Sequence, residues 1–99
     1  MKITKTQDGS TLALKLEGRL DTVTVPQLEK ELGASLSGIN ELTLDFGGLD
    51  YISSAGLRVL LGTHKTMAKQ GGIMKVKGVN ESISEIFELT GFDDILNIE

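Results

Sequence analysis

Leu42-Thr43-Leu44-Asp45-Phe46-Gly47-Gly48-Leu49-Asp50-Tyr51-Ile52-Ser53-Ser54-Ala55-Gly56-Leu57 is the stretch that decides how this chain folds. Leu42, Leu44 and Phe46 recur at period two, the mark of a half-buried strand. Gly47 to Tyr51 reads as the connection out of that strand, and an amphipathic helix starts at the Ser53-Ser54 pair. The serines therefore stand at a helix N-terminus, where unpaired N–H groups and the positive end of the helix dipole favour an added negative charge. Serine is also a preferred N-cap, so Ser53 or Ser54 fits that role as well.

Upstream, Lys2 to Thr6 reads as a short strand and Asp8-Gly9 as a turn. Leu12, Leu14 and Leu16 then alternate with Ala13, Lys15 and Glu17 in a second strand. Gly18-Arg19-Leu20-Asp21 leads into a helix near Thr24-Val25-Pro26, where proline suits the first turn. Val25, Leu28, Leu32 and Leu36 form its apolar stripe, and Ser37-Gly38 closes it. Downstream, the Ser53/Ser54 helix presents Leu57, Leu60, Leu61 and Ala68 inward and stops at Gly71-Gly72. Ile73 to Lys77 is a further strand. A third helix carries Ile83, Ile86 and Phe87, capped by Asn80 or Ser82, with Ser82-Ile83-Ser84-Glu85 matching a capping box. Gly91 ends it, and Ile95 to Ile98 reads as an edge strand. The alternation predicts one α/β domain over residues 1–99, with helices packed on a mixed sheet of about four or five strands.

Composition narrows the function. The 99 residues suffice for one core, and 39% hydrophobic with 24% charged residues is ordinary for a folded globular chain. A net charge of −4 without any basic stripe argues against nucleic-acid binding. No apolar run approaches the ~20 residues that span a bilayer, so no membrane insertion is expected. Met1-Lys2-Ile3-Thr4-Lys5 lacks the apolar segment of a secretory signal, and the chain has no cysteine, so a cytoplasmic setting is expected.

Enzyme chemistry finds few parts. A serine hydrolase elbow requires glycine two residues before the serine, but Ile52 stands there. The one histidine, His64, lies ten residues beyond Ser54 on the same helix, about 15 Å at about 1.5 Å rise per residue. His64 reads as a surface or boundary residue. Gly47-Gly48 lacks the lysine and hydroxyl ending of a nucleotide loop. Asp93-Asp94 and the lysines Lys65, Lys69, Lys75 and Lys77 read as solvated. No catalytic residue, cofactor or metal site is expected.

The stretch from Leu42 to Leu57 resembles the central signature of STAS domains, specifically the bacterial anti-sigma factor antagonists. Gly18-Arg19-Leu20-Asp21 resembles the family's Gly-x-Leu-Asp before the first helix. Gly71-Gly72 resembles its double glycine before the fourth strand, and Ile86-Phe87-Glu88-Leu89-Thr90-Gly91-Phe92 its closing helix. The family motif commonly reads Asp-Ser-Ser/Thr-Gly-Leu, with the serine after the aspartate phosphorylated. Alignment on Gly56-Leu57 puts Ser54 at the acceptor position and leaves Ser53 as the less favoured acceptor. Ser53 replaces the aspartate, and Ala55 replaces the second hydroxyl residue.

The resemblance implies the STAS fold and partner switching. The unphosphorylated protein would bind an anti-sigma factor, usually itself a serine kinase, through Asp21, Ser53, Ser54, Ala55, Gly56 and Arg58. Phosphorylation would break the complex and a serine phosphatase would restore it. Arg58, one turn after Ser54, reads either as solvated or as a contact for an acidic patch or for the phosphate. Two alternatives stand beside this reading. One is a STAS subunit or scaffold that is never phosphorylated, in an assembly such as a lipid-transport ATPase complex. The other is a small enzyme or nucleotide-binding module around Ser54, Asp21 and Asp50, for which the sequence offers no general base.

Overall fold

Five strands and three helices account for most of the chain in a computed structural model that describes residues 1–99. In chain order they are β1 (Lys2–Asp8), β2 (Thr11–Leu20), α1 (Val25–Ser35), β3 (Glu41–Ile52), α2 (Ser54–Lys69), β4 (Ile73–Lys77), α3 (Glu81–Thr90) and β5 (Asn97–Ile98). A single 3-10 turn, Phe92–Asp94, precedes β5. The sheet order is β1-β2-β3-β4-β5, with β1 antiparallel to β2 and every later pair parallel. This is the expected mixed sheet.

A parallel sheet laid down in sequential order puts its crossover helices on one face when every crossover has the same hand. Burial agrees with that arrangement. Leu12, Leu14 and Leu16 of β2, Leu42, Leu44 and Phe46 of β3, and Met74 and Val76 of β4 are buried beneath Leu28, Leu60, Met67, Ile83 and Phe87 of the helices. The intervening residues, such as Lys15, Thr43, Asp45 and Lys77, occupy the uncovered face. Lys75 is less solvated than its pattern suggested. Its ammonium meets Glu41 at 3.2 Å and Glu99 at 3.8 Å, and those carboxylates raise its pKa.

The main departure from the sequence reading lies in Gly47 to Tyr51, which continues β3 instead of leaving it. Two bulges make this possible. β2 advances from Lys15 to Glu17 while β3 advances from Asp45 to Gly48, and a second shift follows between Gly18 and Arg19. Each extra residue flips the inward phase of the strand, so burial moves from Phe46 to Leu49 and then to Ile52. The Asp45 carboxylate accepts the Gly47 N–H at 2.9 Å inside the first bulge. A Cβ on Gly48 would stand 2.7 Å from Glu17 Cγ, so a glycine is what lets the bulged strand lie against β2. The bulges aim the end of β3 at the start of α2.

Smaller differences follow from packing. α2 buries Leu57, Leu60, Thr63 and Met67, whereas Leu61 is half-buried and Ala68 exposed. α3 starts at Glu81 on the Asn80 cap, so the capping box at Ser82 does not form. Gly71 takes the left-handed conformation (φ 72°), and Gly72 N–H returns to the Met67 carbonyl, as the double-glycine stop predicted. The expected terminal strand shortens to Asn97–Ile98, because Phe92–Asp94 coils and Ile95 lies outside the ladder.

Candidate functional site: the N-terminus of helix α2

Successive parallel strands deliver the starts of α1, α2 and α3 to one end of the sheet, and each start is built differently. At α1, Asp21 Oδ1 accepts the N–H groups of Val23 (3.0 Å) and Thr24 (3.1 Å), and the Thr24 hydroxyl accepts the Asp21 N–H (2.9 Å). Hydrogen bonds from Thr24 and Val23, with the nearby Arg19 charge, hold the Asp21 carboxyl below the usual carboxylate range against partial desolvation. Arg19 Nε lies 3.6 Å from Asp21 Oδ2, and its guanidinium carbon sits 4.3 Å from the Tyr51 ring centroid. Beside this cluster Val23 is 86% exposed.

At α2 the two serines divide the work. Ser53 is the N-cap, extended at φ −93°, ψ 173°, and its Oγ accepts the Gly56 N–H at 3.3 Å. Its own N–H donates to the Leu20 carbonyl at 2.9 Å, tying the helix start to the end of β2. Ser54 is the first helical residue, is exposed, and makes no side-chain hydrogen bond. The cap expected of either serine therefore belongs to Ser53. No acidic residue occupies the first turn of α2, so the positive end of its dipole faces solvent without a compensating carboxylate.

Gly56 explains how the helix sits so low. A Cβ there would stand 2.8 Å from Ile52 Cγ1 and 3.0 Å from Leu20 Cγ. Only a glycine admits that approach without moving both core side chains.

The comparisons with known proteins agree with this architecture. The STAS domain model matches residues 2–99. The chain belongs to the STAS domain family.

Among its relatives, BtrV of Bordetella bronchiseptica, provisionally named an anti-sigma factor antagonist, is 36% identical over 99 residues, covering 99% of this chain and 85% of BtrV. The anti-sigma-B factor antagonist of Staphylococcus aureus is 31% identical over 96 residues, covering 96% of this chain and 88% of that protein. The structure of the Bacillus cell fate determinant SpoIIAA in its phosphorylated form superposes with a TM-score of 0.78 at 16% identity, covering 99% of this chain and 91% of that one. At that identity the likeness concerns the fold.

Within this STAS domain, the residues expected to meet a partner do not all reach the surface. Ser54 and Arg58 are exposed, Ser53, Ala55 and Asp21 are half-buried, and Gly56 is buried. Arg58 forms no ion pair and lines a groove of about 580 Å³ between α1 and α2, opposite Glu29. Sequence reasoning missed Arg19, Tyr51 and Val23 as neighbours of the site. The signal for Arg19 and Tyr51 was present only in register: the two pair because the second bulge brings them level. Asp50 is exposed, no acid or histidine hydrogen-bonds to the Ser54 hydroxyl, and no group of His, Cys, Asp and Glu is placed to hold a metal. No helix is long and apolar enough to cross a membrane.

Proposed function

We propose that this STAS domain is an anti-sigma factor antagonist, itself without catalytic activity, that works in the cytoplasm and is switched by phosphorylation of Ser54. The observation that carries the reading is the division between the serines. Ser53 already satisfies the helix cap, which leaves the Ser54 hydroxyl exposed, unbonded and directly over the open first turn of α2. Serine and aspartate are comparable N-caps, so Ser53 in the family's aspartate position keeps the helix start while removing a charge beside the acceptor. The names of the relatives support the same class of function.

In this reading the unphosphorylated end of the sheet docks on an anti-sigma factor with serine-kinase activity, releasing the sigma factor. The contact surface comprises Asp21, Ser53, Ser54, Ala55 and Arg58, with Val23 and Tyr51 beside them. The kinase transfers the γ-phosphoryl group of ATP to Ser54 Oγ, which gives up its proton as ADP leaves. The product adds about −1.5 to −2 charge and three acceptor oxygens. The helix start accommodates that charge, so the domain stays folded while the docking surface changes sign and shape. A serine phosphatase returns the hydroxyl by hydrolysis.

Intact-protein mass spectrometry after incubation with an anti-sigma factor serine kinase of the same organism and ATP tests the assignment. One phosphate is expected on the parent and on Ser53→Ala, and none on Ser54→Ala. Uptake by Ser54→Ala but not by Ser53→Ala would move the acceptor to Ser53. No uptake by the parent would favour a STAS subunit that is never phosphorylated.

A further inference from the structure

The two edges of the sheet differ sharply. One ends in β5, a strand of two residues. The other is β1, seven regular residues with no proline and no bulge, six of them exposed and Ile3 half-buried. β1 closes on β2 through the two-residue loop Gly9-Ser10, and Asp8 pairs with Thr11. In a two-residue hairpin that closing pair is hydrogen-bonded, and bonded pairs then alternate along the ladder. Asp8, Thr6, Thr4 and Lys2 therefore turn their backbone groups toward β2. The N–H and C=O groups of Ile3, Lys5 and Gln7 point outward, with no strand to meet. Open edges of this length are templates for another strand.

We propose that this edge pairs antiparallel with β1 of a second copy of the chain, Lys5 facing Lys5 across the two-fold axis. This register pairs all seven residues and makes the outward-pointing groups of Ile3, Lys5 and Gln7 meet their counterparts. It sets Lys2 against Asp8 of the second copy twice, and Thr4 against Thr6 twice; opposite charges and facing threonines both favour cross-strand pairs. Centring on Thr4 or Thr6 shortens the ladder and loses the Lys2–Asp8 contacts. The like-charged centre is relieved because Lys5 Nζ reaches back to α1, donating to Ser35 Oγ at 3.0 Å, and Ser35 in turn donates to the Glu31 carboxylate at 3.2 Å. Each ammonium is thereby held over its own helix.

The pairing has a functional consequence. β2 runs antiparallel to β1, so antiparallel joining of two β1 strands makes the two parallel sheets run in opposite directions. The two Ser54 sites then lie at opposite ends of a continuous ten-stranded sheet. Both stay open to partners, and a phosphate at either one is remote from the seam.

Sedimentation equilibrium on the whole chain, from micromolar to millimolar, tests this without any partner. The apparent mass is expected to rise from one chain toward two. Lys2→Asp or Asp8→Lys alone should weaken association by roughly tenfold or more, since each change acts twice, and the two together should restore it. Lys5→Pro removes an outward N–H that β2 does not use, and should abolish association while the thermal transition persists. Ser54→Asp should associate like the parent. A single-chain mass throughout, or a dimer indifferent to both charge reversals, would overturn the proposal. So would a dimer lost in Ser54→Asp, because the seam would then lie at the other end.

Discussion

The starts of α3 and α2 face the same end of the sheet and are finished in opposite ways. At α3, Asn80 Oδ1 accepts the Ile83 N–H at 2.9 Å while Asn80 Nδ2 donates to the Leu49 carbonyl at 3.0 Å, so one side chain both caps the helix and binds it to β3. Glu81 adds an acid to that first turn. At α2, Ser53 supplies one longer cap bond, no acid follows, and Ser54 stands free. The first start is closed by its own residues. The second is left with room for a charge, which is what a phosphorylation switch requires of a fold that must survive being switched.

On that contrast, damage at α3 should cost far more than damage at α2. Asn80→Ala loses the cap and strands the carbonyl of buried Leu49, for an expected loss of about 2–3 kcal/mol. Asn80→Asp keeps the acceptor, loses the donor to Leu49 and adds a charge that the helix dipole favours, so a net loss of about 1 kcal/mol is expected. Urea unfolding with an unchanged slope would measure both. Equal losses in the two variants would mean that the cap bond to Ile83 contributes nothing, and no loss in Asn80→Asp would mean the same of the Leu49 contact.

Ser53 comes next. Ser53→Ala should cost about 1 kcal/mol, the ordinary value for a lost N-cap, and Ser53→Asp should restore or slightly exceed the parent by adding a charge at the dipole. Thermal unfolding of the three proteins side by side is the measurement. A loss on Ser54→Ala matching that on Ser53→Ala would erase the division of labour between the serines.

The sequence disclosed the rows of the structure better than its joints. Periodicity found every helix, β2 and the first half of β3, because those patterns record which face is buried over many residues. Gly47 to Tyr51 reads as a connection in the sequence because bulges break the period-two pattern: Leu49 and Ile52 are both inward yet three apart. The inward face of α2 was placed slightly off because Thr63 is buried with its hydroxyl satisfied by the Val59 carbonyl at 2.7 Å, which a purely apolar stripe cannot anticipate. The serine pair was legible as a helix start. Which serine caps depends on a one-residue difference in helix onset, and that is fixed by the Ser53–Leu20 backbone bond, a contact between distant parts of the chain.

The start of α1 extends the comparison to pH, since its cap carries a charge. The Asp21 pKa is lower folded than unfolded, so the unfolded state binds the proton more readily in acid. Its contribution to stability is present above the unfolded pKa and disappears as pH falls through the folded one. Asp21→Asn keeps an acceptor for Val23 and Thr24 but does not titrate. The parent should therefore lose stability relative to Asp21→Asn as pH is lowered below the ordinary aspartate range, and the difference should be flat from there to neutrality. Denaturant titrations across that range would show it. A difference that grows toward neutral pH would assign the effect to another group.

The smallest effect belongs to Ser54 itself, and its smallness is the point. The side chain is exposed and bonds to nothing, so Ser54→Ala should shift stability by no more than about 0.5 kcal/mol. Phosphate at the same atom adds charge where the dipole of α2 is uncompensated, so the melting temperature should stay level or rise, with any rise fading at high salt. Asp21 directly follows Leu20, whose carbonyl accepts the Ser53 N–H, and a like charge at that end of the sheet would oppose part of that gain. Since Asp21 is already turned toward the Val23 and Thr24 amides and Arg19, the opposition should be partial. Melting curves of the two forms at low and high salt decide the matter. A large fall on phosphorylation would mean that the switch works by unfolding the start of α2, and the contrast with α3 would then reflect fragility and not accommodation.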